Sequence, residues 1–253
     1  MNVRSKQTEK KLNGVFYTPF EIVDFLTRWI MDKQEIVNVL EPSAGDGRFV
    51  KKIVEFTDEV NVTAVEIDSF ECEKIKGTDR TKVINDDFYN FYETIKDKGI
   101  KYDAVVGNPP YIRYQFLTED QRNYQSDILK RNGMKPNKLI NSWVAFTVAS
   151  IELLNSGGKF AFVLPTDLLQ VSYAKELRQF IFKELKEVTI IHFNDIVFTG
   201  IQQDVVLIFG IKRGKESKKT LIRNINVKDM SQLSNGIYDI PFEYYDFDNS
   251  DKW

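Results

Sequence analysis

At 253 residues with 42% hydrophobic content, the chain can bury a substantial core and fits one large α/β domain with a small extension. A formal net charge of -2 and a pI of about 5.7 exclude a nucleic-acid binder that works by overall positive charge, so any such contact must be local. Cys72 and His192 are the only residues of their kinds, which excludes an internal disulfide and a cysteine/histidine zinc cluster; no apolar run is long enough to cross a bilayer and Met1 to Lys11 lacks a signal-peptide core, so the expectation is a cytoplasmic protein without metal or membrane.

Residues 1–11 read as a basic arm carrying Arg4, Lys6, Lys10 and Lys11. Thr18-Pro19 has the pattern of an N-cap followed by proline at the first helical position, and Ile22, Phe25, Leu26, Trp29 and Ile30 then recur at helical spacing, predicting a helix over 19–32. Ile36 to Leu40 is a short apolar strand. It runs into the turn Glu41-Pro42-Ser43-Ala44-Gly45-Asp46-Gly47, and helical periodicity resumes from Arg48 to Phe56. The same alternation continues with strand Val60 to Glu66, helix Asp68 to Lys76, strand Lys82 to Ile84, a helix after Phe88, and strand Tyr102 to Gly107. Repetition of this kind implies a parallel sheet. A polar stretch over 112–141, with Tyr114, Phe116 and Tyr124 among its charges, resembles a functional insertion or lid. A helix from Ser142 to Leu154, a Gly157-Gly158 turn, strand Lys159 to Leu164 and a helix over Tyr173 to Leu185 follow. The strands Val188 to Phe193 and Asp204 to Phe209 are joined by so short a loop that an antiparallel pair is expected.

Asn108-Pro109-Pro110-Tyr111 closes the fourth strand, where ligands gather at the carboxyl edge of open α/β sheets. The tetrapeptide suits a site that holds a flat amino group by both hydrogens. An adenine N6 amine is a poor nucleophile because its lone pair is delocalised into the ring. The Asn108 side-chain carbonyl and the Pro109 main-chain carbonyl could each accept one N6 hydrogen and favour a pyramidal nitrogen. Pro109 and Pro110 stiffen the loop so that both acceptors are placed in advance, and Tyr111 offers a ring face for a base. A rigid strand-ending turn would use the same residues.

Gly45 and Gly47 would let backbone approach a ligand closely, although the third glycine of a dinucleotide fingerprint and the lysine of a phosphate-binding loop are absent. Glu66 ends the second strand, where a carboxylate can accept from two ribose hydroxyls, and Asp87 follows the third, where one could accept from an adenine amine. Either acid could equally be a strand-end or helix-capping group.

With these pieces in order, together with Gly14 to Pro19, Val65 to Asp68, Asp86 to Phe88, Gly107 to Arg113, Gly157 to Leu169 and Val197-Phe198, the chain resembles the gamma class of adenine-N6 DNA methyltransferases of restriction-modification systems over residues 12–210. The resemblance implies a doubly wound, mostly parallel seven-stranded sheet with an antiparallel last strand, the Rossmann-like class I fold that binds S-adenosyl-L-methionine. It implies that Tyr17, Thr18, Glu41, Ser43, Gly45, Gly47, Glu66, Ile67, Asp87, Phe88 and Asn108 form the cofactor site. The methionine portion would lie against Thr18 and the Glu41 to Gly47 turn, the ribose against Glu66 and the adenine against Asp87 and Phe88. Asn108 to Tyr111 would act on a base flipped out of double-stranded DNA, with Phe198 stacking on the face opposite Tyr111.

The family usually continues into a long target-recognition region, whereas here only the segment 211–253 follows, ending acidic and aromatic. The expectation is that recognition is supplied by a separate subunit or by a missing C-terminal domain. Two other readings stay open on sequence alone. A release-factor-type glutamine N5-methyltransferase uses the same tetrapeptide on a side-chain amide, but Tyr17-Thr18-Pro19 and Val197-Phe198 favour the DNA enzymes. The other is a non-catalytic cofactor-binding subunit of a restriction complex, against which intact Asn108 and Tyr111 argue.

Overall fold

The computed structural model describes residues 17–32, 35–194, 204–214, 220–234 and 243–245. Its strands are β1 (Asn38–Glu41), β2 (Asn61–Glu66), β3 (Thr81–Asn85), β4 (Tyr102–Gly107), β5 (Leu154–Pro165), β6 (Leu185–Phe193), β7 (Val205–Lys212), β8 (Thr220–Val227) and β9 (Glu243–Tyr245). They form one sheet in the order β3-β2-β1-β4-β5-β7-β6-β8-β9. β1 to β5 run parallel. β7 inserts antiparallel between β5 and β6, which confirms the antiparallel pairing expected of the last two strands of the seven. The sheet does not stop there: β8 pairs parallel with β6 and β9 antiparallel with β8, so the described sheet has nine strands where seven were expected.

Helices cover both faces. They are α1 (Phe20–Met31), α2 (Arg48–Phe56), α3 (Ser69–Cys72), α4 (Phe88–Ile95), α5 (Glu119–Arg131), α6 (Ser142–Glu152), α7 (Asp167–Gln170) and α8 (Lys175–Glu184). The period-two alternation of the strands splits the core into two layers. Val39, Val62, Ala64, Ala104, Val106 and Ala161 face α1 and α2, while Leu40, Val65, Val105, Phe160 and Phe162 face α4, α6 and α8. Helix α6 is buried from Ser142 to Ile151, as a helix with no polar face must be. At the end of the sheet away from the site, Asp103 Oδ2 accepts from Val37 N at 3.1 Å and Asn38 N at 2.9 Å, and its Oδ1 accepts from Asn155 Nδ2 at 2.8 Å. One carboxylate thus ties the starts of β1, β4 and β5 together.

Local details differ from the sequence expectations for identifiable reasons. Pro19, not Thr18, occupies the N-cap of α1, and no side chain caps that end; the Pro19 carbonyl accepts from Ile22 N and Val23 N. Thr18 is instead buried one step outside the helix. The helix expected over 68–76 is the single turn α3, capped by Asp68 through Phe70 N at 2.8 Å. The polar insertion is folded rather than open: after the short 3-10 turn Tyr114–Phe116, α5 begins at a capping box in which Thr118 and Gln121 satisfy each other's backbone amides.

Among the described residues, no helix is long and apolar enough to cross a membrane. The basic arm 1–11, the motif residues 14–16 and the Val197-Phe198 loop, with the expected stacking residue Phe198, lie outside the described residues.

Candidate active site

The carboxyl ends of β1, β2, β3 and β4 border one cleft of about 770 Å³, part of it open to solvent. Its lining brings together Tyr17, Ser43, Gly45, Glu66, Ile67, Asp87, Phe88, Asn108 and Pro110 from the sequence-based set. A smaller adjoining hollow of about 290 Å³ is lined by Tyr17, Thr18, Glu41, Ser43, Gly45, Asp46, Arg48 and Asn108. Tyr17, Ser43, Gly45 and Asn108 border both, which makes a continuous trough with Asn108 at its middle. Gly47, Pro109 and Tyr111 line neither. Gly47 is the left-handed N-cap of α2 at φ 79°, Pro109 is buried beneath the loop, and Tyr111 lies behind Asn108.

The turn after β1 is shaped to leave room. Gly45 has φ 54°, a conformation that disfavours any side chain, and an added Cβ would project into open space. Its amide donates to Glu66 Oε2 at 2.7 Å, and Asp68 N donates to Glu66 Oε1 at 2.8 Å. Each oxygen of Glu66 therefore holds one backbone donor and keeps a second lone pair for a hydroxyl. Burial raises the Glu66 pKa above the ordinary carboxylate value, against the pull of those two amides. Glu41, fully buried beneath the turn, is raised much further, first by burial and then by the nearby Glu66 and Asp46 carboxylates, while Val50 N at 3.2 Å partly offsets this.

The N-terminal edge of the trough is held by Arg48. Its Nη1 donates to the Thr18 carbonyl at 2.8 Å and its guanidinium lies over the Tyr17 ring at 5.0 Å. The Tyr17 hydroxyl donates to Glu71 at 2.8 Å, and burial together with that acidic partner pushes its pKa up to about 12.

At the far end, Asp87 is the helix cap that the sequence allowed, and it also lines the cleft. Its Oδ1 caps α4 through Tyr89 N at 2.7 Å, while its Oδ2 accepts from Gln121 Nε2 at 2.6 Å. Phe88 and Phe146, with ring centroids 4.7 Å apart, give this end apolar walls. Leu117 and Gln121 close it from the insertion.

Behind the trough, the Asn108-Pro109-Pro110-Tyr111 loop is pinned at Asn108, Pro110 and Tyr111. Ser43 Oγ donates to the Asn108 carbonyl at 3.0 Å. The Tyr111 hydroxyl lies 2.8 Å from Asn108 Oδ1 and 3.0 Å from the Val163 carbonyl. Burial raises the Tyr111 pKa well above the ordinary phenol value, so the hydroxyl stays protonated and donates. Ser142 Oγ donates to the Pro110 carbonyl and accepts from Ile112 N at 2.9 Å. The Pro109 carbonyl accepts no hydrogen bond from the described residues.

Sequence reasoning missed Asp86, Tyr89, Ile112, Leu117, Gln121, Ser142 and Phe146 as lining residues. The capping-box spacing of Thr118 and Gln121 signals where α5 starts, but nothing local indicates that α5 folds back onto α4. Ser43, expected in the cofactor site, lines both hollows, and its hydroxyl donates to the Asn108 carbonyl.

The donor set fits a ligand with a flat base, a diol and a charged tail. Apolar walls and the Asp87 carboxylate stand at one end, Glu66 in the middle, and at the other end a glycine cradle is bordered by buried Glu41 and by Asp46, which pairs with Arg48 at 3.1 Å. S-adenosylmethionine has those three parts in that order. Residues 28–198 match the Eco57I restriction-modification methylase family. The chain belongs to that family. It is 32% identical over 250 residues to the Type II methyltransferase M.HincII of Haemophilus influenzae, covering 96% of this chain and 46% of the relative. The chain thus spans less than half the length of the curated relatives it matches in this group. The fold is that of class I S-adenosylmethionine-dependent methyltransferases. It superposes with a TM-score of 0.71 and 17% identity on a nuclease-deletion mutant of the Type ISP restriction-modification enzyme LlaGI in complex with a DNA substrate mimic, over 94% of this chain and 31% of that one. The type I restriction-modification methyltransferase subunit from Streptococcus thermophilus gives 0.70 at 15% identity, over 93% and 57% of the two chains.

Proposed function

We propose that this chain is the catalytic portion of a restriction-modification DNA methyltransferase that transfers a methyl group from S-adenosylmethionine to the N6 amine of an adenine flipped out of the duplex. The observation that carries the reading is the position of Asn108 at the middle of the trough, within the same cleft as Glu66 and Asp87. In this reading Asp87, Phe88 and Ile67 hold the adenine of the cofactor, Glu66 accepts from its ribose hydroxyls, and Thr18, Glu41 and the Gly45 turn hold the methionine end. Bound there, the cofactor supplies an electrophilic methyl group on a sulfonium.

The protein's part is to present the amine. Asn108 Oδ1 already accepts from Tyr111, yet a carbonyl oxygen has a second lone pair, which takes one N6 hydrogen; the Pro109 carbonyl takes the other. Both oxygens are fixed before substrate arrives, Asn108 by Ser43 and Tyr111 and Pro109 by the two rings of the loop. With both hydrogens held to one side, the nitrogen lone pair leaves conjugation and faces the trough. Asn108 and the Pro109 carbonyl need no titration to act, so no strong base is required at the start.

The further parts of this proposal concern the whole protein. Duplex DNA is the partner, with 12–210 as the catalytic unit; the curated relatives are more than twice as long as this chain, and the reading of DNA sequence belongs to parts outside that unit. Flipping is required because a paired, stacked adenine hides its amine. Incubation of the chain with methyl-labelled cofactor and DNA, with and without a candidate recognition polypeptide, tests the reading: label in DNA that rises with the second polypeptide supports it, and label on peptide glutamine favours the release-factor alternative.

A further inference from the structure

We propose that Gln121, on the insertion helix α5, is a positioning residue for the cofactor's adenine: it fixes the Asp87 carboxylate in the orientation that receives the exocyclic amine. The inference rests on the reading of Asp87 as the adenine acceptor. Gln121 is held at both ends. Its main-chain amide donates to Thr118 Oγ at 3.2 Å and its Oε1 accepts from Thr118 N at 3.0 Å, which uses the oxygen of the side chain in the capping box and directs the amide nitrogen away from the helix. That nitrogen donates to Asp87 Oδ2 at 2.6 Å. The other carboxylate oxygen is held by Tyr89 N at 2.7 Å.

With one donor on each oxygen, the carboxylate plane of Asp87 cannot turn, and Oδ2 presents its remaining lone pair into the cleft that Gln121 itself lines. A glutamine serving only as a helix cap would need its oxygen alone. The spare amide is what joins α5 to the adenine end of the trough, and it does so at a short, charge-assisted distance. An adenine donates a hydrogen to Oδ2, whereas a hypoxanthine in its place would present a carbonyl oxygen to a carboxylate that cannot rotate away. Gln121 therefore sharpens the choice between the two bases as well as the affinity.

The test is calorimetric titration of the full chain with S-adenosylhomocysteine and with its deaminated counterpart S-inosylhomocysteine, read as the ratio of the two affinities. The wild-type chain should prefer the adenosyl ligand. Gln121→Ala should weaken that ligand about tenfold and reduce the ratio at least fivefold, and Gln121→Glu, which keeps the capping geometry and removes the donor, should do the same. Thr118→Ala, which loosens the cap and leaves the donor to Asp87, should keep the ratio. If Asp87→Ala removes the preference while both Gln121 variants retain it, the inference is overturned and the reading of Asp87 stands. A Thr118→Ala loss equal to that of Gln121→Ala would also overturn it, by reducing the role to capping. If Asp87→Ala leaves the preference intact, the adenine assignment fails and the inference with it.

Discussion

The hydroxyl of Tyr111 donates to the side-chain oxygen of Asn108 at 2.8 Å, so the residue read as a stacking wall also sets the rotamer of the residue read as the amine acceptor. The two roles can be separated by chemistry. Tyr111→Phe keeps the ring and removes the bond, and a net hydrogen bond of about 0.5–1.5 kcal/mol predicts a fall in kcat of about twofold to twelvefold with the cofactor KM unchanged. Tyr111→Ala removes both and should cost about a hundredfold or more. Steady-state methylation of DNA with both variants is the check; equal rates for Phe and Ala would mean that the ring contributes nothing.

Gly45 and Gly47 make a matched pair for a second prediction. Both have positive φ, so alanine at either carries backbone strain of about 1–2 kcal/mol. At Gly47 the new Cβ also meets Ile75 at 3.1 Å, whereas at Gly45 it projects into open space. Gly47→Ala should therefore lower Tm by several degrees more than Gly45→Ala. Cofactor affinity should follow the opposite order, falling about tenfold or more for Gly45→Ala, because the cradle is filled. Calorimetry and thermal melts on the two variants decide this.

Glu41 gives a prediction in pH. Its folded pKa lies well above the ordinary value of 4.5 because burial disfavours the charged form. The folded state then binds the extra proton, so the stabilising contribution is complete below 4.5 and is lost as pH rises through the folded value. Glu41→Gln keeps an acceptor for Val50 N and cannot ionise. The variant should melt above the wild type at pH 8, on the scale of about 2–4 °C per kcal/mol for a domain of this size, and the two curves should converge as pH falls toward 4.5. Parallel melting curves at all pH values would place the charge elsewhere.

Much of this fold was legible because it is written locally. The turn Glu41 to Gly47, Glu66 and Asp87 each follow an apolar strand, and strand ends of a parallel sheet converge, so their meeting in one cleft follows from alternation alone. What was not legible depends on distant parts of the chain. Gln121 reaches Asp87 across 34 positions, and Phe146 meets Phe88 only because α6 packs beside α4. β8 carried a faint signal, with Thr220, Ile222, Ile225 and Val227 buried, but Arg223 and Asn224 interrupt its alternation. Thr18-Pro19 matched a helix start and misled by one residue, because the Thr18 carbonyl is taken by Arg48 from another helix.

The central claim is that Asn108 and the Pro109 carbonyl hold an adenine N6 amine for methyl transfer. Its most direct test is mass spectrometry of nucleosides from DNA incubated at high concentration with this chain and methyl-labelled S-adenosylmethionine, beside the Asn108→Ala variant at equal cofactor occupancy. The account predicts label in N6-methyladenine and a loss of about a hundredfold or more with the variant. Label in a methylated cytosine, or N6-methyladenine formed at an unchanged rate by Asn108→Ala, would contradict it.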